Sequence, residues 1–246
     1  LEIEGRLVDA SNVALLGRAK LEGVTLGCVY KPTAGERPLW DFPEGTLGLR
    51  EVATYRLARA LGWPLVPETA WRDDGPAGAG MCQRWIDVDD AEARVDVVAR
   101  DRVPDGWRDV VEAYGPAGEP VALVHADDPA LRRLALLDAV ANNADRKGGH
   151  VLTSVHGAVL GIDHGVTFHD EPKLRTVLWG WAGESLADDE RAALAELGGR
   201  WPEAGLEPLL SARELRAARR RLARLLSDGV FPYPGQGWPA LPWPAF

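Results

Sequence analysis

The spacing of apolar positions divides the chain into a strand-rich first part and a helix-rich remainder. Weak alternation over residues 1–31 predicts two antiparallel strands, with Ser11 and Asn12 near the turn between them. Apolar runs at 65–71 and 80–86 predict two more strands around a glycine-rich turn. We therefore expect a β-rich N-terminal region.

Helical spacing interrupts these strands once and dominates after residue 86. The first helix is predicted at 49–61, where Gly62 closes it and Pro64 prevents its continuation. Further helices are predicted at 90–100, 105–114, 130–143, 187–197 and 211–226. A β-hairpin is predicted over 151–162.

Strands with one helix, followed by helices with a small hairpin, are typical of an α+β protein with two lobes. We expect a β-rich N-lobe over 1–86 and a mainly helical C-lobe over 87–229. A Pro/Trp-rich tail over 230–246 is expected to pack as an extended strap. A cleft between two lobes commonly holds a ligand.

Composition narrows the classes of function. The chain has 246 residues, and 37 acidic against 28 basic side chains give a net charge of −9. Such an acidic protein is a poor candidate for non-specific binding to nucleic acid or anionic membrane. The two cysteines, Cys28 and Cys82, form no CxxC pair and predict reduced thiols. With no signal-like opening and no membrane-length apolar run, we expect a cytoplasmic protein without a membrane anchor.

Two stretches carry residues suited to phosphoryl transfer. Asp145 lies in a loop after the strong helix, His150 follows five positions later, and Asp163 ends a predicted strand before Gly165. A loop carboxylate that orients a hydroxyl, together with two ligands for a divalent cation, is the equipment of an ATP-dependent phosphotransferase.

The N-lobe supplies the complementary groups. Lys31 ends a predicted strand, from which its ammonium can reach the phosphates, and Glu51, early in the first helix, can pair with that lysine. Ser11 and Asn12 can offer a hydroxyl and backbone N–H groups to phosphate.

Together these stretches resemble the phosphatidylinositol 3-/4-kinase-like branch of the protein-kinase superfold. The resemblance extends to a group of actinobacterial kinase-like proteins and, more distantly, to HipA-type kinases. It rests on Val29-Tyr-Lys-Pro32, Glu51, Gln83-Arg-Trp-Ile86, Asn143-Ala-Asp-Arg146 and Ile162-Asp-His-Gly165.

The resemblance implies a two-lobed protein-kinase-like fold and an ATP-dependent kinase that uses Mg²⁺ or Mn²⁺. Lys31 would contact the ATP phosphates and Glu51 would hold Lys31. Asp145 would be the catalytic carboxylate and Asp163 a metal ligand. The strand and hinge beside adenine would include Gln83, Arg84, Trp85 and Ile86.

One position departs from the family. His150 stands where such kinases place Asn, and imidazole suits Mn²⁺ better than Mg²⁺. We expect His150 to lie in the metal shell.

Several alternatives stay open. The acceptor can be a soluble polyol-type molecule or, as in a HipA-like kinase, a protein side chain. The chain can also be a nucleotide-binding pseudokinase, or it can transfer a nucleotidyl group. A hydrolase metal cluster of His150, His164, His169 and Asp163 is disfavoured because Asp precedes His on a hairpin.

Overall fold

A five-stranded antiparallel sheet forms the N-terminal lobe. The computed structural model describes residues 1–8 and 12–246, so Ser11 lies outside the described residues. The strands are β1 (Glu2–Leu7), β2 (Ala14–Leu21), β3 (Val24–Pro32), β4 (Thr69–Gly75) and β5 (Gly78–Arg84), in the order β1-β2-β3-β5-β4. In this order β3 lies at the centre of the sheet.

The first 32 residues hold three strands, so the prediction of two strands is wrong. Glu22 and Gly23, with φ of 49° and 83°, join β2 to β3, and Leu21 pairs with Val24 across them. Such two-residue turns suit the twist of paired strands. The sequence hides this hairpin because the apolar residues beside the turn are exposed, which weakens the alternation.

Helix α1 (Leu47–Ala60) packs against β4 and β5 and confirms the first predicted helix. The backbone N–H groups of Leu47 and Gly48 donate to the carboxylate of Glu36 at 3.2 and 2.8 Å. These two bonds satisfy donors that a helix start leaves without partners. The apolar face of α1 is buried in the main core, so α1 links the sheet to the rest of the molecule.

A second sheet stands where two helices are predicted. Residues 90–100 and 105–114 contain β6 (Val95–Ala99) and β7 (Trp107–Tyr114), which flank β8 (Pro120–Ala126) in the order β6-β8-β7. Both helix predictions are therefore wrong. Short amphipathic runs fit both the helical and the strand spacing of apolar residues. Here pairing with the buried strand β8 stabilises the extended conformation.

The other predicted helices and the hairpin are confirmed. They are α2 (Pro129–Ala141), β9 (Val151–Thr153), β10 (Val159–Gly161), α3 (Asp188–Gly199) and α4 (Ala212–Asp228). Helix α4 begins with a capping box, in which Ser211 N–H donates to Glu214 at 2.7 Å. These helices surround one large core that includes the buried Trp181.

The expected α+β class, with a sheet-rich lobe followed by a helical part, is confirmed. The C-terminal part carries the additional sheet β6-β8-β7. The boundaries at residues 86 and 229 stay a prediction. Within residues 1–8 and 12–246, no helix has the length and apolar character that a bilayer crossing needs.

His125, on β8, makes the stability of the fold depend on pH. The residue is fully buried and its Nε2 accepts the Gly180 N–H at 3.0 Å. Burial lowers the pKa of His125 to about 4, whereas an unfolded chain binds the proton below about pH 6.5. The folded state therefore loses stability as the pH falls from about 6.5 towards about 4.

We predict that His125→Gln removes the part of this pH dependence that His125 contributes. Between about pH 7 and about pH 5, the wild type should lose about 2 kcal/mol more unfolding free energy than the variant. Urea unfolding at both pH values measures this difference. His156→Gln, at an exposed turn position, is the control and should follow the wild type. Equal losses in all three proteins would contradict the prediction.

Candidate functional site

Lys31 lies between two carboxylates where α1 faces the end of the β9–β10 hairpin. Its Nζ is 2.7 Å from Glu51 Oε1 and 2.9 Å from Asp163 Oδ1. The second oxygen of Glu51 accepts the backbone N–H of His164 at 2.9 Å. Glu51 therefore fixes both the lysine and the backbone beside Asp163.

The charges in this cluster stabilise one another. Burial disfavours the ammonium of Lys31, but Asp163 and Glu51 outweigh burial and raise the pKa of Lys31 above its ordinary value. The Lys31 ammonium in turn holds the pKa of Asp163 well below its ordinary range. Both groups are charged at neutral pH, so one positive charge sits between two negative ones.

His150 connects Asp163 to the loop that carries Asp145. Its Nδ1 lies 3.0 Å from the carbonyl oxygen of Asp145, which can only accept, and 3.5 Å from the backbone nitrogen of Lys147. Because the contact with the carbonyl oxygen is the shorter one, we place the ring proton on Nδ1. Its Nε2 then faces Asp163 Oδ2 at 3.4 Å with a free lone pair. Burial lowers the pKa of His150, which favours this neutral form.

Asp145 forms ion pairs with residues other than Lys31. Its Oδ1 accepts from Arg175 at 2.9 Å, and Lys147 Nζ lies 3.8 Å from Oδ2. Asn143 Oδ1 accepts the Asp145 backbone N–H at 3.0 Å, which shapes the turn. The carboxylate is partly exposed and lies beside two cations.

A buried ion pair supports the loop from below. Arg146 and Asp138 have fully buried side chains, and Arg146 Nε lies 2.8 Å from Asp138 Oδ2. Sequence reasoning quoted Arg146 only within a motif and missed Asp138. The detectable signal is a lone carboxylate among the apolar residues of α2, which indicates a buried partner.

Of the other residues expected to contact the nucleotide, Asn12 lies at this site and the stretch at 83–86 does not. Asn12 lines the same small cavity as Lys31, Glu51 and Asp163, and its Oδ1 accepts the Arg37 N–H at 2.8 Å. The stretch at 83–86 does not line this cavity as the structure describes it.

Each side chain of that stretch has its own surroundings near the end of β5. Gln83 is buried and donates to Thr69, whereas Arg84 pairs with Glu68. Trp85 is partly exposed and Ile86 is buried. Their place beside adenine stays a prediction.

A larger cleft adjoins the Lys31 cavity. It measures about 300 Å³, is formed by the loop between β3 and α1, and shares Glu36 and Leu47 with the smaller cavity. Leu47 and Phe42 pack together with Ala144, the residue before Asp145. The cleft therefore lies close to both the lysine and the Asp145 loop.

The donor set suits a divalent cation that arrives with phosphates. Nε2 of His150 and Oδ2 of Asp163 are two acceptors that face each other, an arrangement that a cation stabilises. Among the described residues, no three His, Cys, Asp or Glu side chains converge as a complete metal cage. Mg²⁺ is commonly held by one or two carboxylates plus substrate phosphates, a mode that the carboxylate of Asp163 fits. The imidazole nitrogen of His150 suits Mn²⁺ better.

Sequence comparison places the chain in a family. No protein-family model matches it. Protein Rv2133c of Mycobacterium tuberculosis is 48% identical over 259 residues, which span 100% of this chain and 92% of the relative. The chain belongs to the family of Protein Rv2133c. That name states no activity for the Rv2133c family.

Among solved structures, the proinflammatory kinase CtkA of Helicobacter pylori is similar. The TM-score is 0.45 at 10% identity, over 93% of this chain and 91% of CtkA. A similarity this distant carries no argument about activity, so the function must be argued from the site.

The Asp138–Arg146 pair generates a stability prediction. We predict that Asp138→Asn costs about 3–5 kcal/mol of unfolding free energy, because it leaves a buried guanidinium without its counter-charge. Chemical denaturation of the full chain measures this loss. Glu196→Gln, which breaks an exposed pair with Arg200, is the control and should cost at most about 1 kcal/mol. A similar small cost for both variants would overturn the structural role of the pair.

Proposed function

We propose that this protein is an ATP- and divalent-metal-dependent phosphotransferase that phosphorylates a hydroxyl of a small soluble molecule. The observation that carries the proposal is the position of Lys31 between Glu51 and Asp163 at 2.7 and 2.9 Å. In protein kinases a strand lysine paired with a helix glutamate holds the nucleotide phosphates, beside an aspartate that binds Mg²⁺.

The charge of the cluster favours a metal–nucleotide complex over a free nucleotide. Lys31 contributes one positive charge, and Glu51 and Asp163 contribute two negative charges. Free nucleotide phosphates would meet a net negative site, whereas a divalent cation held by Asp163 and His150 reverses that balance. The bound cation would neutralise charge on the phosphates during transfer.

Asp145 is the group proposed to act on the acceptor. Its carboxylate would orient the acceptor hydroxyl and take its proton while the hydroxyl oxygen bonds to the γ-phosphorus. The bond from that phosphorus to the β,γ-bridging oxygen would break, and ADP would leave with that oxygen. Lys147, 3.8 Å from Asp145, would place a positive charge beside the transferring group.

The cleft beside Lys31 supports a small acceptor. Its volume of about 300 Å³ lies at the lower end of ligand pockets, which suits a compact polyol. Two of its lining residues, Phe42 and Leu47, pack against Ala144, the neighbour of Asp145. A molecule in the cleft would therefore lie close to the loop that carries the Asp145 carboxylate.

One observation favours a second candidate, a nucleotide-binding regulatory module without transfer. Arg175 occupies one oxygen of Asp145 at 2.9 Å, which leaves one fewer carboxylate oxygen to meet an acceptor hydroxyl. The two candidates differ in whether bound ATP is consumed.

We predict that Asp163→Ala and Asp145→Asn have different effects. Asp163→Ala should abolish metal-dependent ATP binding, because it removes a metal ligand. Asp145→Asn should retain binding within a few-fold but lose about 10²–10⁴ in transfer rate. The assay combines calorimetry with ATP and transfer of labelled γ-phosphate into a small-molecule metabolite extract.

Asp189→Asn is the matched control, since Asp189 also pairs with an arginine, Arg133, but away from the site. It should leave binding and transfer unchanged. ATP binding without turnover in the wild type would support the regulatory module. Label only on protein would support a HipA-like kinase, and an absence of ATP binding would overturn both candidates.

His150 makes a separate prediction about the metal. We predict that the wild type uses Mn²⁺ at least as well as Mg²⁺, because an imidazole nitrogen accepts Mn²⁺ more readily. His150→Asn should shift the ratio of Mn²⁺- to Mg²⁺-supported ATP affinity towards Mg²⁺. Identical metal profiles in the two proteins would exclude His150 as a ligand. His156→Asn, at an exposed turn position, is the control.

A further inference from the structure

The turn that follows Asp163 is held in an unfavourable backbone conformation. Asp163 and Phe168 both have positive φ, 57° and 61°, although neither is glycine. Such residues cost about 1–3 kcal/mol each and persist where the surrounding structure over-determines them. Contacts from elsewhere in the fold must therefore hold the turn at 163–168.

Two adjacent residues of α1 hold this turn at two points. Glu51 Oε2 accepts the His164 N–H at 2.9 Å, and Arg50 Nη1 donates to the Thr167 carbonyl oxygen at 2.6 Å. Within the turn, the Thr167 hydroxyl donates to the His164 carbonyl oxygen at 2.8 Å. The helix that supplies Glu51 to Lys31 thus also fixes the backbone that carries Asp163.

Arg50 is also held by a residue of helix α4. Its side chain is 2% exposed, and its second terminal nitrogen donates to Glu214 near the start of α4. Burial raises the pKa of Glu214, but Arg50 and the Ser211 bonds outweigh burial and lower it below its ordinary value. The Phe42 ring lies 4.8 Å from the guanidinium. Only a forked guanidinium can reach Thr167 and Glu214 at once.

We infer that Arg50, held by Glu214, is a positioning residue that sets the turn 163–168 and thereby places Asp163 opposite Lys31. The role of Asp163 as a metal ligand rests on the proposed function, whereas the hydrogen bonds that hold the turn do not depend on it. In this arrangement α4 stabilises the candidate nucleotide site indirectly, because its Glu214 holds Arg50 and Arg50 holds the turn. Arg50 and Glu214 act on the site only through the turn and are not catalytic residues.

A positioning role differs from general stabilisation in where the effect of a substitution appears. Loss of the Arg50 fork should loosen the turn while the cores of α2 and α4 stay intact. Thr54, which contacts the Thr167 hydroxyl at 3.2 Å, and α1 packing keep the helix itself in place. The backbone N–H groups of 163–168 therefore report on the fork specifically.

Amide hydrogen exchange on the full chain tests the inference without any substrate. We expect Arg50→Lys to speed exchange in 163–168 by about ten-fold, because lysine keeps the charge but not the fork. Exchange in α2 and in the interior of α4 should stay unchanged. Glu214→Gln, which retains an acceptor for the α4 cap, should show the same local change at a smaller size and serves if Arg50→Lys does not fold.

Arg132→Lys is the matched control. Arg132 is also a forked arginine, bonded to Glu184, Glu190 and the Ser185 carbonyl oxygen, in a part of the helical lobe away from the turn. Its substitution should leave exchange in 163–168 unchanged. Unchanged exchange in both Arg50→Lys and Glu214→Gln, or an equal increase in Arg132→Lys, would overturn the positioning role.

Nucleotide titration separates this inference from the proposed function. If both hold, Arg50→Lys weakens Mn²⁺–ATP binding by about ten-fold, and Arg132→Lys does not. If exchange in the turn is faster in Arg50→Lys but even the wild-type protein binds no ATP, the positioning role is supported and the proposed phosphotransferase activity is overturned. If Arg50→Lys binds ATP as the wild type does and exchange in the turn is unchanged, the positioning role is overturned and the proposed nucleotide site is supported.

Discussion

The buried guanidinium of Arg146 is the constraint on which the site depends. All five of its N–H donors have acceptors: both oxygens of Asp138, the carbonyl oxygens of His150 and Ile162, and Nε2 of His164. A buried cation is tolerated only when it is paired and its donors are satisfied. One side chain therefore fixes the register of α2, the Asp145 loop and the end of the hairpin. Displacing any of these segments would leave a buried donor without a partner.

The helices were predictable where the chain supplies local signals. Gly62 after α1 and the Ser211 capping box of α4 act within a few residues, so the sequence shows them directly. The sheet β6-β8-β7 was not predictable in this way. Its two outer strands carry mixed apolar and charged residues, and only pairing with the buried strand β8, which lies between them in the sheet but follows both in the chain, selects the extended form. The missed hairpin between β2 and β3 has the same origin, since its apolar residues face solvent and leave little alternation.

The candidate site shows the same division. A strand lysine, a helix glutamate and a strand-end aspartate can be named from their local settings, and the structure brings Lys31, Glu51 and Asp163 together. The identity of distant partners has no local signature. Arg175 reaches Asp145 from 30 positions away, and Glu214 reaches Arg50 from 164. Sequence spacing therefore finds the groups proposed to meet the substrate, whereas the groups that hold them in place need the folded chain.

The backbone of Asp163 explains why these supports are needed. Asp tolerates the left-handed conformation better than most residues, but glycine would adopt it without strain. Glycine, however, has no carboxylate to face Lys31. The chain keeps the carboxylate and fixes the residues on both sides of it: Arg146 binds the Ile162 carbonyl oxygen at 2.8 Å, and Glu51 binds the His164 N–H at 2.9 Å. With both neighbouring peptide groups held, and with Arg50 holding the far end of the turn at Thr167, the backbone of Asp163 has little freedom to relax. The Lys31 ammonium, 2.9 Å from Oδ1, then fixes the direction of the carboxylate.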